Sequence, residues 1–427
     1  MRVWNFISQY SLLLIGGAFI ALIWANIDPN SYHQIVDFVL LKESLVGKLY
    51  GDDPGLFSRK LTFHYLVNDI LMAFFFAVAG KEVWEAVALK NGSLRGKKAI
   101  TPLFATAGGM IGPVITYLGI AWLLGSETYS AVANGWAIPT ATDIAFSYLI
   151  GRVIFGAGHP AVRFLLLLAI ADDAAGLIII AVFYPTGELA LEWLLLSLSA
   201  VILVYILFNW LPNHLDKKEG STARTKFVYQ TFSYWPYLVA GIISWLGFQE
   251  AGLHPALGLL PIIPAIPHAE TTLGMFADGE KKFPDLLNRA EHDLKFPIEF
   301  ILFLFGFANA GVEFSSIGTP TYLVLLGLLV GKPIGIFIFG WLGANVFKFG
   351  IPDSMTLSDI LIIGFVAGIG FTVSLFVAAV AFAPGEVQDA AKMGALISLA
   401  GAPIAIGVSR FFKVKKIDHF QTDLHSH

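Results

Sequence analysis

A chain of 427 residues with 56% hydrophobic and only 14% charged residues is too apolar for a soluble enzyme, whose charged fraction is usually about 25%. The formal net charge of −4, with Lys and Arg gathered into short clusters, provides no extended basic surface and excludes nucleic acid as a ligand. Cysteine is absent, which removes disulfides, thiolate catalysis and thiolate-held metals together.

A membrane-spanning helix needs about 20 predominantly apolar residues, and the chain offers such runs repeatedly. The first, Tyr10 to Ala25, follows Arg2 and reads as a retained helix rather than a signal peptide, because its flank is barely charged and no A-x-A site closes it. Next comes a loop over about 41–63, in which Gly51-Asp52-Asp53-Pro54-Gly55 separates Lys48-Leu49-Tyr50 from the alternating Lys60-Leu61-Thr62-Phe63. A β-hairpin and an irregular solvated loop both fit that pattern. Further runs include Ile100 to Leu124, Ala161 to Phe183, Leu191 to Asn209 and Thr321 to Ala344, for about twelve spans in all. Twenty of the 27 Lys and Arg residues fall on one side of this alternation, chiefly around Lys90 to Lys98, Lys217 to Lys226, Lys281 to Lys295 and Arg410 to Lys416. The opposite connections carry none except the first loop, so the positive-inside rule predicts an even number of spans with both termini cytoplasmic.

Three lysines remain: Lys81 and Lys392, near span ends where a long side chain can snorkel, and Lys332, about mid-span. The acidic residues at similar depth are Asp69 and Glu82 in the second span, Asp143 in the fourth, and the pair Asp172-Asp173 in the fifth. Ionisable groups at bilayer depth cost a few kcal/mol or more and mark functional sites. Adjacent helical residues point about 100° apart, so Asp172 and Asp173 line a cavity rather than face one neighbour. Ala171, Ala174, Ala175 and Gly176 leave room beside them, and a small hard cation such as sodium prefers such oxygen ligands.

Two spans look interrupted. Trp136 to Asp143 brings Pro139, Thr140 and Thr142 into an apolar run, and Gly364 to Gly370 brings three glycines into another. Broken helices at membrane depth line cavities and mark substrate sites in secondary transporters. Their ends carry partial charges, which Asp143 is expected to balance at the N-terminal ends and Lys332 at the C-terminal ends. The breaks lie in the fourth and eleventh spans, each central to a three-span block, which suggests inverted repeats over about 100–183 and 321–410. The fold expected is a single all-α polytopic transmembrane domain over residues 1–427, with two crossed, interrupted helices.

At this point the chain resembles the NhaA family of sodium/proton antiporters, named among the known inverted-repeat transporters. The resemblance runs nearly end to end. It rests on NDILMAFFFAVAGKEV (Asn68 to Val83), GWAIPTATDIAF (Gly135 to Phe146), ADDAAG (Ala171 to Gly176), FANAGV (Phe307 to Val312), GKPIGI (Gly331 to Ile336) and GIGFTVSLF (Gly368 to Phe376), in that order. It implies electrogenic exchange of sodium or lithium for protons in a bacterial inner membrane, without a cofactor. Asp172 and Asp173 would bind the ion, Lys332 would pair with Asp172 in its absence, and Asp143 with Thr142 would support the crossed helices. The resemblance further implies a pH response at Glu82, Glu291 and His292, and a homodimer through the first external loop. Three features depart from the family pattern: the small residues after the aspartate pair, Lys81 in place of an apolar residue, and Lys295 in place of a histidine.

A carboxylate taken out of water holds its proton more tightly and a neighbouring cation loosens it, so proton and sodium can compete for one site. Two other readings stand beside exchange. A sodium-coupled solute symporter would use the same architecture with a larger polar pocket. An intramembrane aspartyl protease would need its two aspartates on facing helices, whereas this pair is adjacent on one, so the chain reads as a transporter and not an enzyme.

Overall fold

The computed structural model describes residues 2–49, 58–89, 92–94, 99–220, 223–267, 286–352 and 354–417, without the side chains of residues 2–12 and 288. The turn residues Gly51 to Gly55 and the basic residues Lys90, Arg95, Lys97, Lys98, Lys281 and Lys282 lie outside the described residues.

In chain order the helices are α1 (Arg2–Ile27), α2 (Pro29–Val36), α3 (Phe63–Ala88), α4 (Ile100–Leu123), α5 (Ser126–Thr140), α6 (Ile144–Phe155), α7 (Pro160–Phe183) and α8 (Leu191–Glu219). There follow α9 (Ala223–Thr231), α10 (Trp235–Glu250), α11 (Pro255–Ala265), α12 (Leu286–Asn309), α13 (Thr319–Val346), α14 (Leu357–Ala367), α15 (Phe371–Ala381) and α16 (Glu386–Phe411). Six of these, α3, α4, α7, α8, α13 and α16, are long and apolar enough to cross a bilayer. The pairs α5–α6 and α14–α15 qualify only as bent units, with angles of 52° and 50° at their breaks. Among the described residues the count is therefore six spans, or eight with each bent pair taken as one. For three of the remaining segments the shortfall from twelve has local causes: α11 is short, α10 has 16 residues, and the first half of α12 carries Arg289, Glu291, Asp293 and Lys295.

Both breaks fall where the sequence interrupts its apolar runs. Pro139 lacks the N–H a helix interior requires, and α5 ends in a tight 3₁₀ stretch, Ala133–Thr140, before residues 141–143. The second break follows Ala367 at Gly368 to Gly370, where two glycines weaken the helical conformation.

The chain divides into two compact units. The first comprises Met1–Ile27, Ser93–Gly176 and Asn309–His427. Its central contact is between α4 and α13, which meet backbone to backbone: a Cβ added at Gly108 would collide with the Gly335 carbonyl, and one at Gly112 with the Gly331 carbonyl. Two small-xxx-small stripes thus bring helices close in a solvent that offers them no hydrophobic drive to associate. Around this contact lies a buried apolar cluster that includes Phe155, Phe164, Leu165, Ile336, Ile360 and Ile363. Asn26 ties α1 to the segment before α13, donating to the Val312 carbonyl at 2.9 Å and accepting from the Phe314 N–H at 2.8 Å.

The second unit comprises Asp28–Gly92 and Leu177–Ala308. Helices α8 and α10 pack together here, joined by the Ser197 and Ser244 hydroxyls at 2.6 Å. The first loop forms a small three-stranded sheet of β1 (Val39–Ser44), β2 (Lys48–Leu49) and β3 (Arg59–Thr62), in the order β1-β3-β2. Both pairings are antiparallel, with Leu41 opposite Leu61 and Lys48 opposite Lys60. The alternating pattern around residue 60 therefore belongs to paired strands rather than an irregular loop. Gln249 anchors the sheet by accepting from the Gly47 N–H at 3.3 Å and donating to the Leu45 carbonyl at 3.1 Å. Beside it, Arg59 bonds both carboxylate oxygens of Glu250, at 2.9 and 3.0 Å.

Candidate ion-binding site

In the first unit the two breaks meet. The Asp143 N–H donates to the Ile369 carbonyl at 2.7 Å, the Thr142 hydroxyl to the Ala367 carbonyl at 3.0 Å, and the Ser147 hydroxyl to the Val366 carbonyl at 3.0 Å. The Asp143 carboxylate accepts from the Phe146 N–H at 3.1 Å, in the first turn of α6, and from the Thr372 N–H at 3.3 Å, in the first turn of α15. It also accepts from the Thr372 hydroxyl. One buried carboxylate thus serves the electropositive N-terminal ends of two half-helices, where the exposed N–H groups and the macrodipole favour negative charge.

The C-terminal ends are shared differently from the expectation for Lys332. Its ammonium donates to the Thr140 carbonyl, at the end of α5, whereas the Ala367 carbonyl at the end of α14 receives the Thr142 hydroxyl. The remaining reach of Lys332 goes to Asp172, with Nζ 2.8 Å from Oδ2 and side-chain exposures of 0% and 1%. Lys332 stands between Gly331 and Gly335, so the close approach of α13 to α4 sets where its side chain begins. Asp173, next along α7, is half-buried. Among the described residues its carboxylate has no hydrogen-bond donor. The constellation offers one carboxylate already paired with an ammonium, and a second with oxygen atoms free for a cation.

Sequence reasoning assigned no role to Thr372 or to the Thr140 carbonyl. The signal for the first was available: a threonine two residues beyond the last glycine of the break is positioned for the opening turn of the next half-helix. Nothing in the sequence points to the second, because every residue carries a carbonyl.

A different arrangement occupies the second unit. Lys81 is 3% exposed and does not snorkel: its ammonium lies 3.0 Å from Glu85, 2.6 Å from Glu291 and 3.9 Å from Glu82. Lys392 is likewise buried at 7%. Glu82 and Glu291, expected to act together, are brought together by Lys81, while His292 points away with its side chain 83% exposed, its Nδ1 3.9 Å from Asp293. Glu85 went unnoticed in the sequence, although its spacing of four from Lys81 puts both on one helical face. Among the described residues, Oε1 of Glu82 is buried without a hydrogen-bond partner.

The family model described as Na+/H+ antiporter 1 matches residues 3–408. A Na(+)/H(+) antiporter NhaA from Jannaschia sp. (strain CCS1) is 63% identical over 415 residues, covering 97% of this chain and 99% of that one. Proteins of the same name from Geotalea uraniireducens (strain Rf4) and Desulfitobacterium hafniense (strain Y51) are 44% and 43% identical, over 97% and 98% of this chain and 98% of each relative.

Proposed function

The chain belongs to the Na+/H+ antiporter 1 family, and from that premise we propose that it exchanges sodium or lithium for protons at Asp172 and Asp173. The family assignment favours exchange over sodium-coupled solute uptake, the transport alternative left open by the sequence. One observation carries the site: a fully buried ammonium on Asp172, 2.8 Å away, beside a neighbouring carboxylate with no hydrogen-bond donor among the described residues.

A sodium ion reaching the pair takes carboxylate oxygen from both aspartates and displaces the ammonium from Asp172. Freed of its counter-ion in a buried site, Lys332 sheds a proton, and a second proton leaves the aspartates. When the site opens to the other side, protons return and expel the cation. Two protons against one sodium moves net charge, so the membrane voltage contributes about 2.3 kcal/mol per charge per 100 mV. Asp143 and Thr142 hold the ends of the interrupted helices in place as Lys332 leaves.

Six long helices and two bent pairs, with α1, α10, α11 and α12 as the remaining segments, make up twelve spans, and the bent pairs cross as the centres of inverted repeats. Each block, 100–183 and 319–411, runs long helix, bent pair, long helix, which supports that reading. The charge alternation supports cytoplasmic termini in a bacterial inner membrane. The first-loop sheet is the proposed contact of a homodimer, and Glu82 and Glu291, with His292, the proposed pH-responsive group.

The test is cation-induced dequenching of a ΔpH dye in everted vesicles from antiporter-deficient cells, with Na+, Li+ or K+ added across pH 6 to 9. Asp172→Asn and Asp173→Asn should each abolish the response. A fully inserted but silent parent, or an unchanged response in both variants, would remove the aspartate pair from the mechanism.

A further inference from the structure

Beyond α16 the chain turns at Lys413, whose φ is +52°, and runs back along the connection between α6 and α7. The Ile417 N–H donates to the Phe155 carbonyl at 2.9 Å, and the Gly158 N–H donates to the Ile417 carbonyl at 2.8 Å. Val414 packs against the buried cluster that contains Phe155, Phe164 and Leu165. A short main-chain pairing therefore fastens this segment to the hinge between the half-helix capped by Asp143 and the helix bearing the aspartate pair.

Within that hinge His159 is 6% exposed and lies against the Phe155 ring at 5.2 Å. Its Nδ1 accepts the Ala161 N–H at 3.1 Å, and its carbonyl accepts the Val162 N–H at 3.1 Å. With Pro160 at the first helical position, His159 is the N-cap of α7, where a side-chain acceptor satisfies one of the unpaired N–H groups. An imidazole can do this only with Nδ1 unprotonated. Asp172 lies about 20 Å further along the same helix, at 1.5 Å per residue.

Among the described charged groups of the surrounding elements, Asp359 of α14 is the one whose field reaches the ring, and its carboxylate is held by the Thr356 N–H and hydroxyl. Arg152 of α6 rests over the Tyr148 ring. Arg163 of α7 and Lys413, Lys415 and Lys416 of the returning segment are exposed. Burial pushes the His159 imidazole below its ordinary value, against the opposing pull of Asp359. A base so lowered favours the fastened arrangement in full above the ordinary imidazole pKa of about 6.5 and loses that contribution as pH falls below it. Protonation would also set positive charge against the positive end of a helix.

We propose that His159 and residues 412–417 form a clamp on the α6–α7 connection that acid releases, with His159 a positioning residue for the helix that carries Asp172 and Asp173. The consequence for transport rests on the exchange reading; the clamp itself does not, and two measurements separate them.

The first is amide hydrogen exchange of the full-length parent at pH 6 and pH 8, corrected for intrinsic rates. Peptides covering Ala161 and Ile417 should lose protection at pH 6 by up to about fourfold, the most that a base with a released-state pKa of about 6.5 can give at that pH, and should keep it in His159→Asn, whose amide oxygen caps without titrating. Equal protection of the parent at both pH values overturns the clamp. Ile417→Pro, which deletes one donor of the pairing, should reduce protection of the connection at pH 8; unchanged protection there removes the C-terminal segment from the proposal. The second is vesicle exchange: relative to its own rate at pH 8, His159→Asn should run up to about fourfold faster at pH 6 than the parent does, the same linkage read as rate. Superimposable pH profiles overturn the positioning role. Absence of cation-driven exchange in the parent at every pH would sink the transport reading, while amide exchange still decides the clamp.

Discussion

Lys332 and Lys81 are both buried against carboxylates, yet they are held in different ways. Among the described residues Lys332 has one carboxylate partner, Asp172 at 2.8 Å, and one helix end, the Thr140 carbonyl. Lys81 has Glu85 and Glu291 within 3.0 Å and Glu82 at 3.9 Å, so one ammonium stands among three carboxyl groups. A one-to-one pair can be exchanged for a cation of the same charge with little change in the local balance. An ammonium shared by three acids on α3 and α12 cannot leave without setting like charges against each other. The first arrangement suits a site that must open and refill; the second suits a fixed tie between helices.

The largest effects should come from breaking the one-to-one pair on a single side. Asp172→Asn leaves Lys332 buried without its counter-ion, so that it must shed its proton or stay stranded, and should lower stability by about 3 kcal/mol, read from thermal unfolding in detergent. The double variant Asp172→Asn/Lys332→Met should recover most of that loss while exchange stays abolished. If the two single effects simply add, the pair is not coupled.

Lys81→Met should come next, at about 3 kcal/mol, because it leaves carboxylates buried without their cation. Each of Glu82→Gln, Glu85→Gln and Glu291→Gln should cost less than Lys81→Met, since two acids remain for the lysine. A single glutamate variant as costly as Lys81→Met would show that the sharing is illusory.

Asp143→Asn removes one negative charge from two helix N-termini and should cost about 1–2 kcal/mol, with a proportionally greater fall in exchange rate than in melting temperature. Wild-type exchange in a well-folded Asp143→Asn protein would mean that the charge at the breaks plays no part in transport. The smallest effect is expected at Arg59→Gln. Its pair with Glu250 is partly exposed, with side-chain exposures of 12% and 30%, so the loss should stay below about 1 kcal/mol and appear in the thermal melt alone.

Much of the site was legible in the sequence because polar atoms stand out against apolar runs. Asp172, Asp173, Asp143 and Lys332 announced themselves in that way, and the breaks did so through Pro139 and the glycines from Gly364 to Gly370. The span count was less legible. Helices such as α10 and α11 are too short, and α12 too charged in its first half, to be separated from ordinary buried helices by length and composition. Lys81 was misread because its place near a span end is compatible with snorkelling, and only its neighbours exclude it. Glu291 lies 210 residues away, and no periodicity connects the two.

The sequence by itself determined which segments are apolar enough for lipid, where two of them must break, and which ionisable groups remain within them. All three follow from local composition and from the backbone limits of proline and glycine. Only the tertiary structure decided which lysine meets which acid, which helix end each polar side chain caps, and that Asp173 has no hydrogen-bond donor among the described residues. Those outcomes depend on a few ångströms of approach between segments far apart in the chain. Here that approach is set by Gly108 and Gly112 against Gly331 and Gly335, where the absence of side chains lets two backbones touch and carries Lys332 within reach of Asp172.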